Sequence, residues 1–409
     1  MKRLAIISSY KEQCGNATYT EVLKKGFSKH YHVDVLTLNT SLLRSDTSIM
    51  KRLAEKHIDE LASKLSAYDY VNIQFEAGLF GIFPWHVLSR VKRLLKASKN
   101  VIVTLHQFHE KTSFFGKSFI KKLLSAKFKL IFLETLRTLK KNRQAKMCHQ
   151  LMHLLKAEGA SLVVHTPREA EFLRQFYDFT RVHHHPISFL SVSDYHDYRA
   201  KMDPAAFRKQ YGLGPGEIGI GLFGFISEYK GHHTAIKALK YLPKEYKMLF
   251  FGGQHPHSIL PYTRIDPYLE ELENLATTHE VADRIIFCSS LNDEEFIQAL
   301  LCCDMTILPY MEVGQSGSGV AALTLELRVK ALFSQNFAFL ELEKYAENAI
   351  EKVSIGCALE LASKLKNLAI SEENSRKMAL EKYHQTYNLD SNVDLYKRIF
   401  EGIEPSNNG

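Results

Sequence analysis

Two stretches of small residues, each leading from an apolar run into a helical pattern, carry the chemistry most legible in this sequence. The first is Pro309-Tyr-Met-Glu-Val-Gly-Gln-Ser-Gly-Ser-Gly-Val320. Gly314, Gly317 and Gly319 let backbone amides approach a ligand closely, and Ser316 and Ser318 add hydroxyls. A helix opening there presents unpaired N–H groups and the positive end of its dipole, the elements of a phosphate site. Glu312 and Gln315 stand in the same loop. The bland alternative is a plain strand-to-helix turn.

The second stretch is Gly221-Leu-Phe-Gly-Phe-Ile-Ser-Glu-Tyr-Lys-Gly231. Lys230 falls at the mouth of the helix that follows. A mobile ammonium there can neutralise a diphosphate without a metal; a solvated lysine at a helix start is the competing reading.

The first half of the chain holds weaker candidates. Cys14-Gly15-Asn16 follows the first apolar run, and one glycine without GxGxxG makes no dinucleotide fingerprint, yet it can hold backbone close to a phosphate or sugar. His106 and the Gln74-Phe-Glu76 edge fall at the carboxyl ends of two later runs, where side chains meet a ligand cleft. His106, His109 and Glu110 also suggest zinc, but no third ligand is set by local spacing, so no metal site is expected. His183, His184 and His185 read as a strand end near a domain junction, and Arg168 as a cation at a helix start or on the surface.

These residues need elements to hold them. Short β-rich runs alternate with longer helical patterns, which predicts βαβ units and parallel sheets. Strands are expected at 4–8, 33–38, 70–75, 101–105 and 161–165, then at 218–224, 247–251, 284–288, 305–309 and 331–334. Most are continuous apolar runs, as strands covered on both faces should be. Helices are expected at 234–242, 267–277, 293–302, 320–327 and 359–368 from apolar residues at three- and four-residue spacing. Two runs of five strands exceed one doubly wound sheet, and the polar stretch 190–215, punctuated by Pro204, Gly212, Gly214 and Pro215, reads as a linker with one helix. The expected fold is α/β, with two Rossmann-like doubly wound domains facing each other across a cleft. The expected boundaries are 1–190, 205–384 and a C-terminal helix in 385–409 returning to the first domain.

Composition narrows the class. The chain has 409 residues, 45% hydrophobic and 24% charged, which reads as globular and soluble. No run reaches the ~18–20 apolar residues of a membrane span, and the basic start is too short for a signal peptide. Six scattered cysteines without CxxC suggest reduced thiols and a cytoplasmic protein. The net charge of +8 is a mild excess, and no motif supports nucleic-acid binding. The charge is concentrated: residues 111–146 hold eleven Lys or Arg and one acid, Glu134, interleaved with aromatic and aliphatic residues. That pattern suits an interfacial helix on an anionic membrane surface, or a helical pair with its basic face in water.

Taken in order and spacing, these segments resemble the retaining GT-B glycosyltransferases of family 4, over nearly the whole chain. The resemblance rests on Cys14-Gly15-Asn16, His106, the Gly224…Lys230-Gly231 turn and the Pro309-Tyr310…Gly314-Gln315-Ser316-Gly317 loop. It implies a nucleotide-diphosphate sugar as donor, held by the second domain, and a glycan or lipid-linked acceptor held by the first, near Asn16 and Glu76. Lys230 would match the family's pyrophosphate lysine, and residues Ser316, Gly317, Ser318 and Gly319 would hold the donor phosphates. His106 would line the sugar subsite and Gly15 would approach the phosphate. The family needs no divalent metal, and its front-side retaining transfer lets the leaving phosphate take the acceptor proton.

Three departures from the pattern matter. Phe225 stands where the family has an arginine in the donor site, and the paired glutamates fall on Gln315 and Leu323. The usual glycine before the next strand falls at Arg328, while Glu312 and Glu326 are the acids available to compensate. The expectation is an active hexosyltransferase, plausibly for mannose, peripheral on the inner face of a membrane if residues 111–146 reach it. The competing expectation is an inactive binding or scaffold subunit of the same fold.

Overall fold

The computed structural model describes residues 1–12, 14–106, 128–254, 266–312, 317–370 and 374–403, with backbone alone over most of 128–141. Gln315, Ser316, His109 and Glu110, and the first part of the basic segment, lie outside the described residues. The chain divides into two compact units, Met1–His185 with Asn392–Gly409, and Pro186–Ser391.

The first unit is built on one parallel sheet of six strands: β1 (Arg3–Ser8), β2 (His32–Thr37), β3 (Tyr70–Phe75), β4 (Val101–Leu105), β5 (Ser161–Val164) and β6 (Val182–His184). Their spatial order is β2-β1-β3-β4-β5-β6, a doubly wound sheet whose winding reverses between β1 and β3. Parallel strands need crossover helices, and these cover both faces. Accordingly β3, β4 and β5 are buried at every residue. Helix Pro84–Ala97 starts with proline at its first position, where the missing N–H costs nothing. The Arg90 guanidinium, almost wholly buried, donates to the carbonyls of Leu43 at 2.8 Å and Phe80 at 2.6 Å and fixes the turn before that helix.

The second unit repeats the plan with β7 (Ile218–Phe223), β8 (Tyr246–Phe251), β9 (Ile285–Cys288), β10 (Met305–Leu308), β11 (Ala331–Ser334) and β12 (Glu351–Val353). Here the order is β12-β11-β10-β7-β8-β9, all parallel, and the reversal lies between β7 and β10. Helix Asp293–Cys302 shows how local sequence sets an element. Asn292 and Glu295 form a reciprocal capping box, and three acids occupy the first turn against the positive end of the dipole. Each sheet has six described strands where five were expected. The sixth in each, β6 and β12, is a three-residue strand at the sheet edge, too short for hydrophobic periodicity to register.

Candidate functional site

Open α/β sheets bind ligands beyond the carboxyl ends of their strands, where the winding reverses. In the second unit that place lies between β7 and β10, and the loops leaving these two strands are the two small-residue stretches of the sequence. They are laced together. The Met311 N–H donates to the Tyr229 carbonyl at 2.7 Å. Gly231 takes a left-handed φ of 75°, and a Cβ there would come within 2.0 Å of the Pro309 carbonyl oxygen, so only glycine fits. A Cβ on Gly224, at φ 102°, would crowd the Lys230 ammonium at 3.1 Å.

Lys230 closes the short turn Glu228–Lys230 ahead of helix His232–Leu239. It is not a mobile surface cation: the residue is 6% exposed. Its Nζ donates to the Tyr310 hydroxyl at 2.5 Å and lies 4.1 Å from the centre of the Tyr310 ring and 5.2 Å from that of Tyr229. No carboxylate pairs with it among the described residues. Two aromatic faces and one hydroxyl compensate a buried charge only in part, so burial lowers the Lys230 pKa from its ordinary value. Tyr310 is itself buried, which raises its phenol pKa, while a hydrogen bond with the Ser318 hydroxyl acts the other way. Lys230, Tyr310 and Ser318 thus form one connected polar group at the reversal.

The glycine–serine loop is partly described. Ser318 caps helix Gly319–Glu326, its hydroxyl accepting the Ala321 N–H at 3.3 Å. A Cβ on Gly317 would come within 2.8 Å of Ile187 Cδ1, and one on Gly319 within 3.1 Å of Phe189 Cζ. The smallness of these two glycines therefore serves the chain's own packing against residues 187 and 189. Glu312 accepts the Phe337 N–H at 2.7 Å at the start of helix Phe337–Glu343. Glu326 is fully buried and accepts the N–H groups of Phe189 and Leu190 at 2.9 and 3.3 Å. Burial raises its pKa well above the usual carboxylate range despite those bonds. The two acids counted as available thus hold backbone of the same unit. Arg328 occupies a left-handed φ of 55°, the conformation of the glycine that the resemblance leads one to expect there, and its guanidinium lies 4.3 Å from the Tyr195 ring centre.

In the first unit the reversal lies between β1 and β3, and it brings together two residues singled out separately in the sequence. Asn16, in the first turn of helix Gly15–Phe27, donates its side-chain N–H to Glu76, which follows β3. A Cβ on Gly15 would meet nothing within 4 Å, so packing does not require glycine there. The helix begins without a side-chain cap, its Ala17 N–H donating to the Cys14 carbonyl at 3.0 Å.

His106 stands one residue past β4 and belongs to a polar chain that sequence reasoning missed. Its Nδ1 lies 3.1 Å from His165 Nε2, and His165 Nδ1 lies 3.2 Å from the His185 carbonyl oxygen. A carbonyl only accepts, so a neutral His165 carries its proton on Nδ1 and offers Nε2 to His106 as an acceptor. The outer nitrogen of His106 meets Gln74 Oε1 at 2.7 Å. With Gln74 Oε1 on one side and His165 Nε2 on the other, both nitrogens of His106 face acceptors, and a neutral imidazole, with a single N–H, satisfies one of them. Burial, reinforced by His165, holds His106 well below the usual imidazole range, and burial takes His165 down to about 4. Behind them Thr104 meets the Tyr396 hydroxyl at 2.6 Å, and Asn392 donates to the Tyr19 hydroxyl at 2.8 Å. Tyr19 stands edge-on to both histidines, 5.6 and 6.1 Å between ring centres. The helix Leu389–Phe400 thereby braces the histidine pair from the far end of the sequence.

Of the remaining residues, Phe225 leaves β7 directly after Gly224. His183 and His184 lie in β6. All six cysteines are free. Among the described residues no cluster of three or more His, Cys, Asp or Glu side chains is placed to hold a metal, and no helix is long and apolar enough to cross a membrane.

Comparison with known proteins matches residues 204–323 to the family described as Glycosyl transferases group 1. No curated protein sequence matches the chain. Solved structures do. Anabaena Alr3699/HepE, crystallised with UDP and glucose, is 13% identical, with a TM-score of 0.61 over 98% of each chain. Sucrose-phosphate synthase from Thermosynechococcus elongatus is 16% identical, with a TM-score of 0.65 over 98% of this chain and 100% of that one. WaaG, a glycosyltransferase involved in lipopolysaccharide biosynthesis, is 13% identical, with a TM-score of 0.57 over 99% and 100%. At such identities the likeness establishes the fold, two Rossmann-like α/β domains, and the matched segment covers the β7–β10 reversal with Lys230, Tyr310 and Ser318.

Proposed function

We propose that this chain, with a glycosyltransferase group 1 segment on a two-domain Rossmann-like fold, transfers a hexose from a nucleotide-diphosphate sugar to a glycan or glycolipid acceptor. The observation that carries this reading is Lys230: a buried ammonium at the β7–β10 reversal with no carboxylate partner among the described residues. An anionic diphosphate supplies the missing countercharge, and in a site shielded from water that interaction is far stronger than in bulk solvent. Alr3699/HepE, crystallised with UDP and with UDP-glucose, supports a nucleoside diphosphate as the anion.

In this reading the second unit holds the donor. As the glycosidic bond breaks, charge develops on the leaving diphosphate, and the Lys230 ammonium stabilises it, steadied by Tyr310 and Ser318. The leaving phosphate takes the acceptor proton as the new bond forms on the same face, so the anomeric configuration is retained and no divalent metal is needed. The first unit receives the acceptor along Gly15, Asn16 and Glu76, with His106 lining the sugar subsite as a hydrogen-bonding group. WaaG's involvement in lipopolysaccharide biosynthesis and the basic segment 111–146 support a lipid-linked acceptor and an enzyme peripheral at an anionic membrane. Screening hydrolysis of a panel of nucleotide sugars, with and without EDTA, tests the reading. Metal-independent hydrolysis of one of them is expected, and loss of all turnover on chelation contradicts it.

A second reading, an inactive binding or scaffold subunit, is favoured by specific observations. Phe225 removes a cation, Leu323 an acid, and Gly317 and Gly319 pack against Ile187 and Phe189. Nucleotide binding without hydrolysis of any nucleotide sugar would select it.

A further inference from the structure

The first unit carries an exposed apolar surface that the sugar-transfer reading does not use. Its centre is Trp85, the only tryptophan of the chain, which is 52% exposed and stacks on Phe83 at 4.8 Å between ring centres. Beside it Ile82 is 57% and Ile49 70% exposed, with Met50 and Leu53 also open to solvent. These residues come from helix Ser48–Leu65 and from the start of helix Pro84–Ala97 together with the turn before it. The ion pairs Glu55–Arg90 and Asp59–Arg93 set the helices side by side and parallel, so their first turns share one end. The Lys51 ammonium, 5.8 Å from the Phe83 ring centre, confirms the juxtaposition. Arg90 holds the turn beneath Ile82 and Phe83 in place, so the apolar residues stand on a fixed frame.

Two features choose the partner. Crossover helices run against the strands they connect, so the start of helix Pro84–Ala97 lies at the carboxyl end of the sheet, the end that carries Asn16, Glu76 and His106. The surroundings are also cationic. Lys51 flanks the aromatic pair on one side, and Arg143, its guanidinium 5.2 Å from the Trp85 ring centre, on the other. Over residues 77–157 the sequence holds seventeen Lys or Arg and two acids, Glu110 and Glu134, so the rest of the chain is net acidic. An exposed apolar cluster centred on an indole and flanked by cations has the composition of an interfacial membrane contact.

We propose that this surface docks the first unit on an anionic lipid bilayer, with Trp85, Ile82 and Met50 entering the headgroup region and Lys51 and Arg143 meeting lipid phosphates. It rests on the lipid-linked acceptor part of the proposed function and deepens it, since docking there sets the acceptor edge of the unit against the membrane that would carry such an acceptor. The proposal differs from a purely electrostatic role for residues 111–146 in requiring insertion at Trp85.

Because Trp85 is the only tryptophan, its fluorescence reports this surface alone. Full-length protein is titrated with phosphatidylcholine vesicles, with and without phosphatidylglycerol, including lipids brominated on the acyl chain. The expected result is retention on the anionic vesicles, a blue shift of Trp85 emission and quenching by the brominated chains. Ile82→Glu and Met50→Glu should each weaken retention about tenfold while leaving the nucleotide affinity measured without vesicles unchanged, which separates failed docking from failed folding. Retention with Trp85 emission unmoved, or no retention at all, overturns the proposal. So does a change in oligomeric state in Ile82→Glu with vesicle binding intact, which would make the surface a contact with a second copy. Loss of nucleotide binding in the unmodified protein would instead strike the sugar-transfer reading.

Discussion

His106 Nδ1 lies 3.1 Å from His165 Nε2, and the His185 carbonyl at the far side of His165 holds the proton of a neutral His165 on Nδ1, so that Nε2 accepts. A ring held this way presents one defined nitrogen, Nε2, toward Gln74 and the other toward His165. His165 is thus a positioning residue for His106. His165→Phe is expected to lower turnover about 10²-fold with little change in donor affinity. Nitrogen chemical shifts of His106 should then show the proton on Nε2, facing Gln74 Oε1, where the parent protein shares it between Nδ1 and Nε2. An unchanged tautomer with full turnover would remove His165 from this role.

Burial disfavours the charged form of several histidines, so acid should unfold the protein. His165 and His384 are held at about 4 and His232 at about 3, all below the unfolded value of 6.5. Between those values and pH 6.5 the unfolded chain binds more protons than the folded one, so stability falls as pH falls. For His165 alone the loss at pH 5 is about 2 kcal/mol. The melting temperature is expected to drop steeply from pH 7 to pH 5. A flat profile over that range would contradict the burial of these rings.

The lowered pKa of Lys230 gives the opposite limb. An ordinary lysine keeps its charge to about pH 10, whereas Lys230 loses its proton earlier. Nucleotide binding is therefore expected to weaken at a lower alkaline pH than a surface lysine would allow. A bound diphosphate should also draw a proton onto the protein there, measurable as a buffer-dependent heat of binding. Lys230→Arg should not restore affinity, because a planar guanidinium does not fit between Tyr229 and Tyr310 as a compact ammonium does.

Two glycines should behave in opposite ways. Gly231→Ala places a Cβ 2.0 Å from the Pro309 carbonyl at a φ of 75°, and is expected to destabilise the second unit by several kcal/mol or prevent folding. Gly15→Ala meets no atom within 4 Å and should leave the melting temperature unchanged or slightly higher. If Gly15 faces a substrate, Gly15→Ala loses turnover all the same. Full activity in Gly15→Ala would remove that position from the site.

Much of the fold was legible because strands buried on both faces are continuous apolar runs. The expectations at 70–75, 101–105 and 331–334 coincide with β3, β4 and β11. The Lys230-Gly231 turn was legible too, since a glycine beside a strand end marks close backbone approach, here to Pro309. What escaped was the partnership of residues remote in the chain. Thr104 and Tyr396 meet across 292 positions, and no local spacing announces that contact. One signal was present: Asn72 and Gln74 are polar at alternate positions of an otherwise apolar strand, so one face of β3 had to carry a buried hydrogen-bond network. Gly317 and Gly319 were read as room for a ligand, whereas Ile187 and Phe189 press against them. A small residue answers equally to a phosphate and to a neighbour's side chain, and sequence spacing does not separate the two.

The most direct measurement is a calorimetric titration of UDP and of GDP into the intact chain and into Lys230→Ala. The account predicts saturable binding of one nucleotide, weakened at least about tenfold in Lys230→Ala, with the melting temperature of the free Lys230→Ala protein preserved or raised because a poorly compensated buried charge is gone. Equal affinity in the two proteins, or no heat with either nucleotide at millimolar concentration, would contradict it.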